Sequence, residues 1–281
     1  MQYPFFRKFT YFLACMLGAE LLSACAPVKI SQSLSSSTEV SSNPDFSSSV
    51  LLSEQEERIW RPINVDLSKI DADRKLIAFT FDDAPSNQLE NILSVFQAYN
   101  EENPDCYATA TLFCNSMLFD ANRRAGLKRA LKSGFELGNH THSHLDLTTL
   151  SIEEIRSEID STDRYLAKLD GQKLHLLRAP YGKTDQTVKA CAYAPIIGWT
   201  IDTLDWTGRS AEEISSQVLS NLADGSIVLM HDGYEHTVYA LKALLPRLKE
   251  LGYQVVNVSQ LAKAHSCVLT SGNIYVRARK R

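Results

Sequence analysis

From residue 76 onward, short apolar runs rich in β-branched and aromatic residues alternate with segments whose apolar residues recur at helical spacing. We predict seven strands from these runs: Leu76–Phe81, Tyr107–Phe113, Phe135–Gly138, Leu174–Arg178, Ile196–Ile201, Ile227–Met230 and Tyr253–Val256. Repeated β-α units indicate an α/β fold with a parallel sheet and helices outside it, either closed as a barrel or doubly wound. In both architectures, functional residues collect at the carboxyl ends of the strands.

Helix signals lie between these runs. Ser151–Glu154 and Ser210–Glu213 carry the capping-box pattern, in which a serine and a glutamate three positions later each cap the other's backbone N–H. A third helix is predicted from near Thr237 through Leu248, because apolar residues recur there at helical spacing. A further helix-like segment begins near Asn87, after a Pro-Ser turn.

The N-terminal region has a different composition. Basic residues precede an apolar stretch from Phe9 to Leu22, which is shorter than the roughly 20 residues of a bilayer-spanning helix and is typical of a secretory signal. Residues 1–24 are therefore predicted to be a signal peptide. The small residues before Cys25 resemble a bacterial lipoprotein signal, which implies that Cys25 carries a lipid anchor; a plain signal peptide with an incidental cysteine is the alternative.

The segment after the predicted signal is rich in serine, from Ser31 to Ser53. So few apolar residues cannot offset the entropy lost on ordering, and residues 25–53 are predicted to be a flexible tether. Residues 54–281 then form one domain, whose length suits a single α/β barrel.

The net charge limits the classes of binding partner that are expected. The net charge is −4 without a basic block, so a nucleic-acid partner is not expected.

Cys106 and Cys114 flank a predicted strand that extends roughly 26 Å, which is too far for a disulfide. We expect most of the cysteines beyond Cys25, which include Cys191 and Cys267, to be buried small hydrophobic residues.

Two adjacent carboxylates, Asp82 and Asp83, end the first predicted strand. They would repel each other, and the pKa of one would rise, unless a cation neutralises them. A divalent metal is the most economical cation. Four other strand ends carry polar clusters, and we expect all five clusters to converge on one mouth. The four are Gly138–His144, Arg178–Gly182, Asp202–Trp206 and His231–Gly233.

Three histidines in one of these clusters are candidates for the remaining ligands. On a helical turn, His140 and His144 share a face at i, i+4 while His142 points elsewhere; on an extended segment all three face one side. We favour the turn, because one aspartate and two histidines leave coordination positions open, as at a catalytic metal site. The alternative is three surface histidines without a metal.

Five motifs stand in the order found in the polysaccharide deacetylases of carbohydrate esterase family four, also called the NodB-homology domain, and the chain resembles that family. They are Thr80–Asp83, His140–His144, Arg178–Tyr181, Asp202–Trp206 and Leu229–Asp232. The resemblance implies a distorted (β/α) barrel that binds zinc or a similar divalent ion, such as Co²⁺, Mn²⁺ or Ni²⁺. It also implies that Asp83, His140 and His144 hold this metal.

The resemblance further implies catalytic roles. Asp82 is the general base, His231 is the general acid, and the backbone N–H of Tyr181 stabilises the oxyanion. Pro180 and Tyr181 are expected at the substrate.

Physical chemistry suggests partners for these groups. Arg178 is expected to pair with Asp82, lowering its pKa and orienting it. Asp205 is expected to keep His231 cationic near neutral pH, with Asp202 as the second candidate.

Four further positions carry expectations. Trp206 and Leu229 are candidate walls of a pocket for the acetyl methyl group, with plain core packing as the alternative. Ala84 stands where the family usually has glycine, which raises the question of a positive φ after Asp83. His142 stands at an often aromatic position and is left outside the metal set.

The function implied by the resemblance is hydrolysis of N-acetyl groups on an N-acetylglucosamine polymer outside the cytoplasm. For a monomeric, lipid-anchored protein the nearest such polymer is peptidoglycan. An O-acetyl esterase acting on acetylated xylan would use the same catalytic residues and stays open. A glycan-binding lipoprotein without turnover is a third reading, against which the intact Asp82, Asp83 and His231 argue.

Overall fold

The structure is a computed structural model that describes residues 60–62 and 65–279. The predicted signal peptide (1–24), the predicted lipid site Cys25 and the tether (25–53) lie outside the described residues. No helix among residues 60–62 and 65–279 has the length and apolar character needed to cross a bilayer.

The described residues form eight strands and seven α-helices. The strands are β1 (Lys75–Ala84), β2 (Thr111–Cys114), β3 (Glu136–Asn139), β4 (Ile196–Ile197), β5 (Ile201–Asp202), β6 (Ile227–His231), β7 (Tyr253–Val256) and β8 (Ile274–Tyr275). The helices are α1 (Leu89–Glu102), α2 (Ala121–Lys132), α3 (Ile152–Asp170), α4 (Gln186–Cys191), α5 (Ala211–Ser220), α6 (Glu235–Glu250) and α7 (Val258–Ala264).

Strand β1 is the centre of a parallel sheet with the order β3-β2-β1-β6-β5. One edge of β1 pairs with β6, and the other pairs first with β7 and then with β2. Leu76–Phe81 is almost continuously apolar because both faces of the strand are covered. Ile77, Phe79 and Phe81 pack in a core shared with helices α1, α5 and α6.

The sheet continues beyond β3 through single-residue bridges and curves into a distorted barrel. Leu177 pairs with Asn139 on one side and with Ile196 on the other, and β4 pairs with β8. Strand β5 returns to pair with β6. The α/β barrel prediction is therefore confirmed.

The strand predicted at Leu174–Arg178 is shorter than expected, because the segment pairs with its neighbours only at a bridge centred on Leu177, through backbone hydrogen bonds of residues 176–178. Side-chain partners take up the start of the segment instead: His175 N–H donates to a carboxylate oxygen of Asp163, and the carbonyl of Leu174 accepts from Gln172. Hydrogen bonds of this kind compete with a strand ladder.

The strand predicted at Ile196–Ile201 is interrupted and forms β4 and β5. Gly198 N–H donates to Tyr275 O, whereas Thr200 N–H donates to Ile227 O. The two halves therefore pair with different neighbours, and the run cannot stay one straight strand.

Local helix signals were accurate. Both predicted capping boxes form, at Ser151 with Glu154 and at Ser210 with Glu213. The third predicted helix is α6, which begins at Glu235, two residues before Thr237. The cysteines at 106, 114, 191 and 267 are free, and all but the last are buried, as predicted.

Candidate active site

The sheet register places two of the predicted catalytic residues side by side. In the pairing of β1 with β6, Asp82 lies opposite His231, at the carboxyl ends of both strands. Asp83 follows with a φ of 62°, so the chain turns there and the second carboxylate leaves the direction of the strand. The left-handed residue is thus Asp83 itself, and Ala84 continues β1 without a positive φ.

Asp83, His140 and His144 form a cluster whose candidate ligand atoms all lie within 4.8 Å of one another. Asp83 Oδ1 is 3.5 Å from His144 Nε2 and 3.7 Å from His140 Nε2. His140 Nδ1 donates to Arg178 O at 2.8 Å, which leaves the lone pair of Nε2 directed into the cluster. Two imidazole nitrogens and one carboxylate oxygen are a donor set that suits zinc and similar divalent ions.

The predicted helical turn at the histidines is wrong, because residues 140–146 form an irregular loop between β3 and a short turn of 3-10 helix. Thr141 has a φ of 70° and His144 a φ of 59°. Asn139 Oδ1 accepts from Thr141 N–H, and Thr141 Oγ1 accepts from His144 N–H. Side-chain acceptors therefore replace helical bonds, yet the two outer histidines still converge. His142 instead contacts Ser116 Oγ through Nδ1, at 2.8 Å.

Asp82 is buried and pairs with an equally buried arginine, Arg178. Arg178 Nη1 donates to Asp82 Oδ1 at 2.8 Å and to Thr80 Oγ1 at 2.7 Å. Its other N–H groups donate to the carbonyls of Ile197 and Gly198. Burial by itself would raise the pKa of Asp82, but the charge of Arg178, with those of nearby histidines, outweighs burial and lowers it.

His231 is held by a fully buried carboxylate, Asp205. His231 Nδ1 donates to Asp205 Oδ1 at 2.7 Å, while Asp205 Oδ2 accepts from His231 N–H at 2.8 Å and from Thr237 Oγ1 at 2.7 Å. Burial alone would lower the pKa of His231, but the hydrogen bond and charge of Asp205 raise it. Asp202, the second candidate, caps Leu204 N–H instead.

The predicted substrate residues differ in exposure. The ring of Tyr181 lies 4.7 Å from that of His144, at the rim, and its side chain is exposed, as is that of Trp206. Pro180 and Leu229 are buried. Plain core packing is therefore excluded for Trp206 but fits Leu229. The roles of all four at a substrate stay predictions.

Sequence reasoning assigned no role to Asp232, which is fully buried and directly follows His231. Asp232 Oδ2 accepts from Ser86 N–H at 2.6 Å, and the Asp232 carbonyl accepts from Ser86 Oγ. Burial raises the pKa of Asp232 to about 7. Asp232 thus anchors the turn that follows Asp83, and the only sequence signal was its place in the fifth motif.

Comparisons with known proteins agree with this geometry. Residues 69–195 match the polysaccharide deacetylase family model. The chain is 33% identical over 193 residues to peptidoglycan-N-acetylmuramic acid deacetylase PdaC of Bacillus subtilis. The aligned region covers 68% of this chain and only 40% of that protein. It is 34% identical over 198 residues to a peptidoglycan-N-acetylglucosamine deacetylase of Bacillus cereus, covering 67% of this chain and 89% of the relative.

Among solved structures, a family 4 acetyl xylan esterase from Clostridium thermocellum in complex with a cobalt ion is similar, with a TM-score of 0.67 and 28% identity. The match covers 72% of this chain and 98% of the esterase. The family assignment rests on sequence similarity over 89% of the Bacillus cereus relative, together with the fold shared with the esterase. The chain therefore belongs to the polysaccharide deacetylase family.

Proposed function

We propose that the chain is a metal-dependent N-deacetylase of an extracytoplasmic N-acetylglucosamine polymer, with peptidoglycan as the favoured substrate. The observation that carries the proposal is the side-by-side placement of an ion-paired carboxylate, Asp82, and a carboxylate-paired histidine, His231, beside the cluster of Asp83, His140 and His144. A base and an acid beside a metal-ligand set are the groups that amide hydrolysis needs. Relatives named as peptidoglycan deacetylases support the choice of polymer.

Asp83, His140 and His144 would hold the divalent ion, with zinc favoured and Co²⁺, Mn²⁺ or Ni²⁺ as alternatives. Such an ion, when bound, lowers the pKa of a water ligand and polarises the acetamide carbonyl. Support comes from the chemistry of the three donors and from the cobalt ion in the related esterase.

Asp82 acts as the general base in this proposal. Its lowered pKa keeps the carboxylate ionised at neutral pH, so it can accept a proton from the attacking water. Arg178 occupies Oδ1, while Oδ2 lies 3.6 Å from His140 Nε2, on the side of the metal ligands. The oxygen nearer the ligands is therefore the one that takes the proton.

His231 acts as the general acid. Asp205 binds Nδ1, which leaves Nε2 to deliver a proton to the leaving amine. The raised pKa keeps the imidazolium populated closer to neutral pH. The backbone N–H of Tyr181 would stabilise the oxyanion, an effect of roughly 2.7–4 kcal/mol for one donor. Tyr181 and Trp206 at the rim, with Pro180 and Leu229 behind, would contact the acetylated sugar.

A lipid anchor at Cys25 followed by the tether at residues 25–53 would hold a monomeric catalytic domain near the cell wall. This arrangement is extracytoplasmic and brings peptidoglycan within reach of a membrane-bound enzyme. Labelling with a radioactive fatty acid tests the anchor, and Cys25→Ser is expected to abolish the label and release the protein from membranes.

Acetate release from peptidoglycan and from N-acetylglucosamine oligomers tests the proposed activity. We expect release that a chelator stops and added zinc restores. Activity that persists without metal would contradict the proposed mechanism.

Acetylated xylan belongs in the same assay, because the structural likeness to an acetyl xylan esterase favours O-deacetylation as the second candidate. Activity on xylan alone would replace the first proposal with the second. Binding of glycan without any acetate release would favour a non-catalytic protein, against which the intact base and acid argue.

A further inference from the structure

The loop that carries both metal-binding histidines packs against one face of helix α3. Hydrogen bonds link Asn139, the last residue of β3, and the loop residues His142 and Ser143 to α3, directly or through Ser116. The α3 residues involved are Glu158, Ile159, Thr162 and Asp163. Their spacing of i, i+1, i+4 and i+5 places them on the same side of the helix. One helix face therefore supports the first half of the loop.

Glu158 makes the contact nearest to a ligand. Its Oε2 accepts from Ser143 N–H at 2.8 Å, and its Oε1 accepts from Ser143 Oγ at 2.5 Å. Hydrogen bonds to a carboxylate are charge-assisted and stronger than neutral ones. Ser143 directly precedes His144, whose φ of 59° is uncommon for a residue with a Cβ atom. Glu158 thus holds both the backbone N–H and the hydroxyl of the residue that precedes a left-handed candidate ligand.

The other end of the loop is held through Asn139. Asn139 Nδ2 donates to Ile159 O and to Asp163 Oδ1, both at 2.9 Å, while its Oδ1 accepts from Thr141 N–H at 2.8 Å. Asp163 is in turn bound by the buried His175, whose Nδ1 lies 2.9 Å from Asp163 Oδ1. This end is deep in the protein, whereas Glu158 is partly exposed and can be replaced with less damage to folding.

We propose that Glu158 is a positioning residue for the metal site: it keeps His144 aimed at Asp83 and His140 before any metal is present. The inference rests on the proposed function, because it requires this cluster to bind a divalent ion. Without Glu158, binding would have to order the loop, and the cost would appear as weaker metal affinity. Loss of groups that orient metal ligands typically weakens affinity by about 10- to 100-fold.

The test is zinc affinity of the metal-free full-length protein, measured by competition with a chromophoric chelator. Glu158→Ala is expected to weaken zinc binding by at least about 10-fold. Glu158→Gln keeps one acceptor oxygen and is expected to show a smaller loss. Glu153→Ala removes an exposed carboxylate from the same helix and is expected to bind zinc like the wild type.

Thermal unfolding of each metal-free variant separates positioning from folding. A positioning role predicts that Glu158→Ala loses affinity while its melting temperature stays near that of Glu153→Ala. Ser143→Ala removes only the hydroxyl partner and provides a second, milder variant, expected to weaken zinc binding several-fold.

The outcomes are distinguishable. If Glu158→Ala and Ser143→Ala bind zinc within twofold of a wild type that binds it, the inference is overturned and the proposed function stands. If the wild type binds no divalent metal, the proposed function fails, and the inference fails with it.

Discussion

Asp205→Asn is the most direct test of the proposed acid. The substitution removes a charge and keeps the shape of a fully buried side chain. The carboxylate of Asp205 accepts three hydrogen bonds, from His231 Nδ1, from His231 N–H and from Thr237 Oγ1. Asparagine has a single side-chain oxygen, so its amide must face at least one of these donors.

The contacts of Asp205 determine how much kcat should fall and in which direction the pKa of His231 should move. A hydrogen bond to a charged group contributes about 1.5–3 kcal/mol, and about 1.36 kcal/mol corresponds to a factor of ten in rate. Loss of the bond between His231 and Asp205 should therefore reduce kcat by about 10- to 160-fold. Without the charge of Asp205, burial lowers the pKa of His231, and the cationic form is lost at a lower pH. The alkaline limb of the pH profile should move to lower pH.

The assay is the initial rate of acetate release from an N-acetylglucosamine oligomer across the pH range, with metal at saturation. Asp202→Asn is the matched control, because the Asp202 carboxylate caps Leu204 N–H, whereas His231 is hydrogen-bonded to Asp205. An Asp205→Asn variant with wild-type kcat and an unmoved alkaline limb would refute the reasoning. A shift of the acidic limb of the pH profile together with the alkaline limb would indicate that the substitution also disturbs the proposed base, Asp82.

The remaining predictions concern the proposed base and two buried ion pairs. Asp82→Asn should lower acetate release by at least about 100-fold and leave zinc affinity unchanged; retained turnover would contradict its role as base. Arg178→Ala should lower the free energy of unfolding in urea by about 3–5 kcal/mol, because Asp82 is left buried and unpaired. Adding Asp82→Asn should recover part of this loss, and no recovery would argue against the pair as its cause. Asp163 and Asp170 raise the pKa of His175 from 6.5 to about 9, so this group should add about 3 kcal/mol of stability below pH 6.5, which is lost as the pH rises through 9. Urea titrations of wild type and His175→Gln should differ in this pH window, and parallel pH profiles would contradict the assignment.

Much of the architecture was accessible from local patterns. The apolar run before Asp82 is buried as β1, and the serine–glutamate pairs at 151 and 210 cap helices. Alternation of strands and helices predicted a parallel sheet, and the residues at its strand ends do meet at one mouth. These features follow from hydrogen bonds within a few residues and from burial of apolar side chains, which a sequence pattern records directly.

The conformation of the loop that carries the histidines depends on contacts that the local sequence pattern does not record. A spacing of four residues predicted a helical turn, but Asn139 and Thr141 supply side-chain acceptors, and Glu158 on a separate helix holds Ser143. The candidate ligands converge through Thr141 and His144, which both adopt a left-handed conformation that is uncommon for residues other than glycine. Contacts from another element outweighed the periodicity.

The sequence by itself indicated the alternation of strands and helices, the starts of the two capped helices and the residue types available at the mouth. Only the tertiary structure decided that Asp205 rather than Asp202 binds His231 and that Thr80 shares Arg178 with Asp82. It also assigned Asp232 to the turn after Asp83. The physical reason is that these pairings depend on the register of neighbouring strands and on which buried donors lack a partner, and both are properties of the assembled chain.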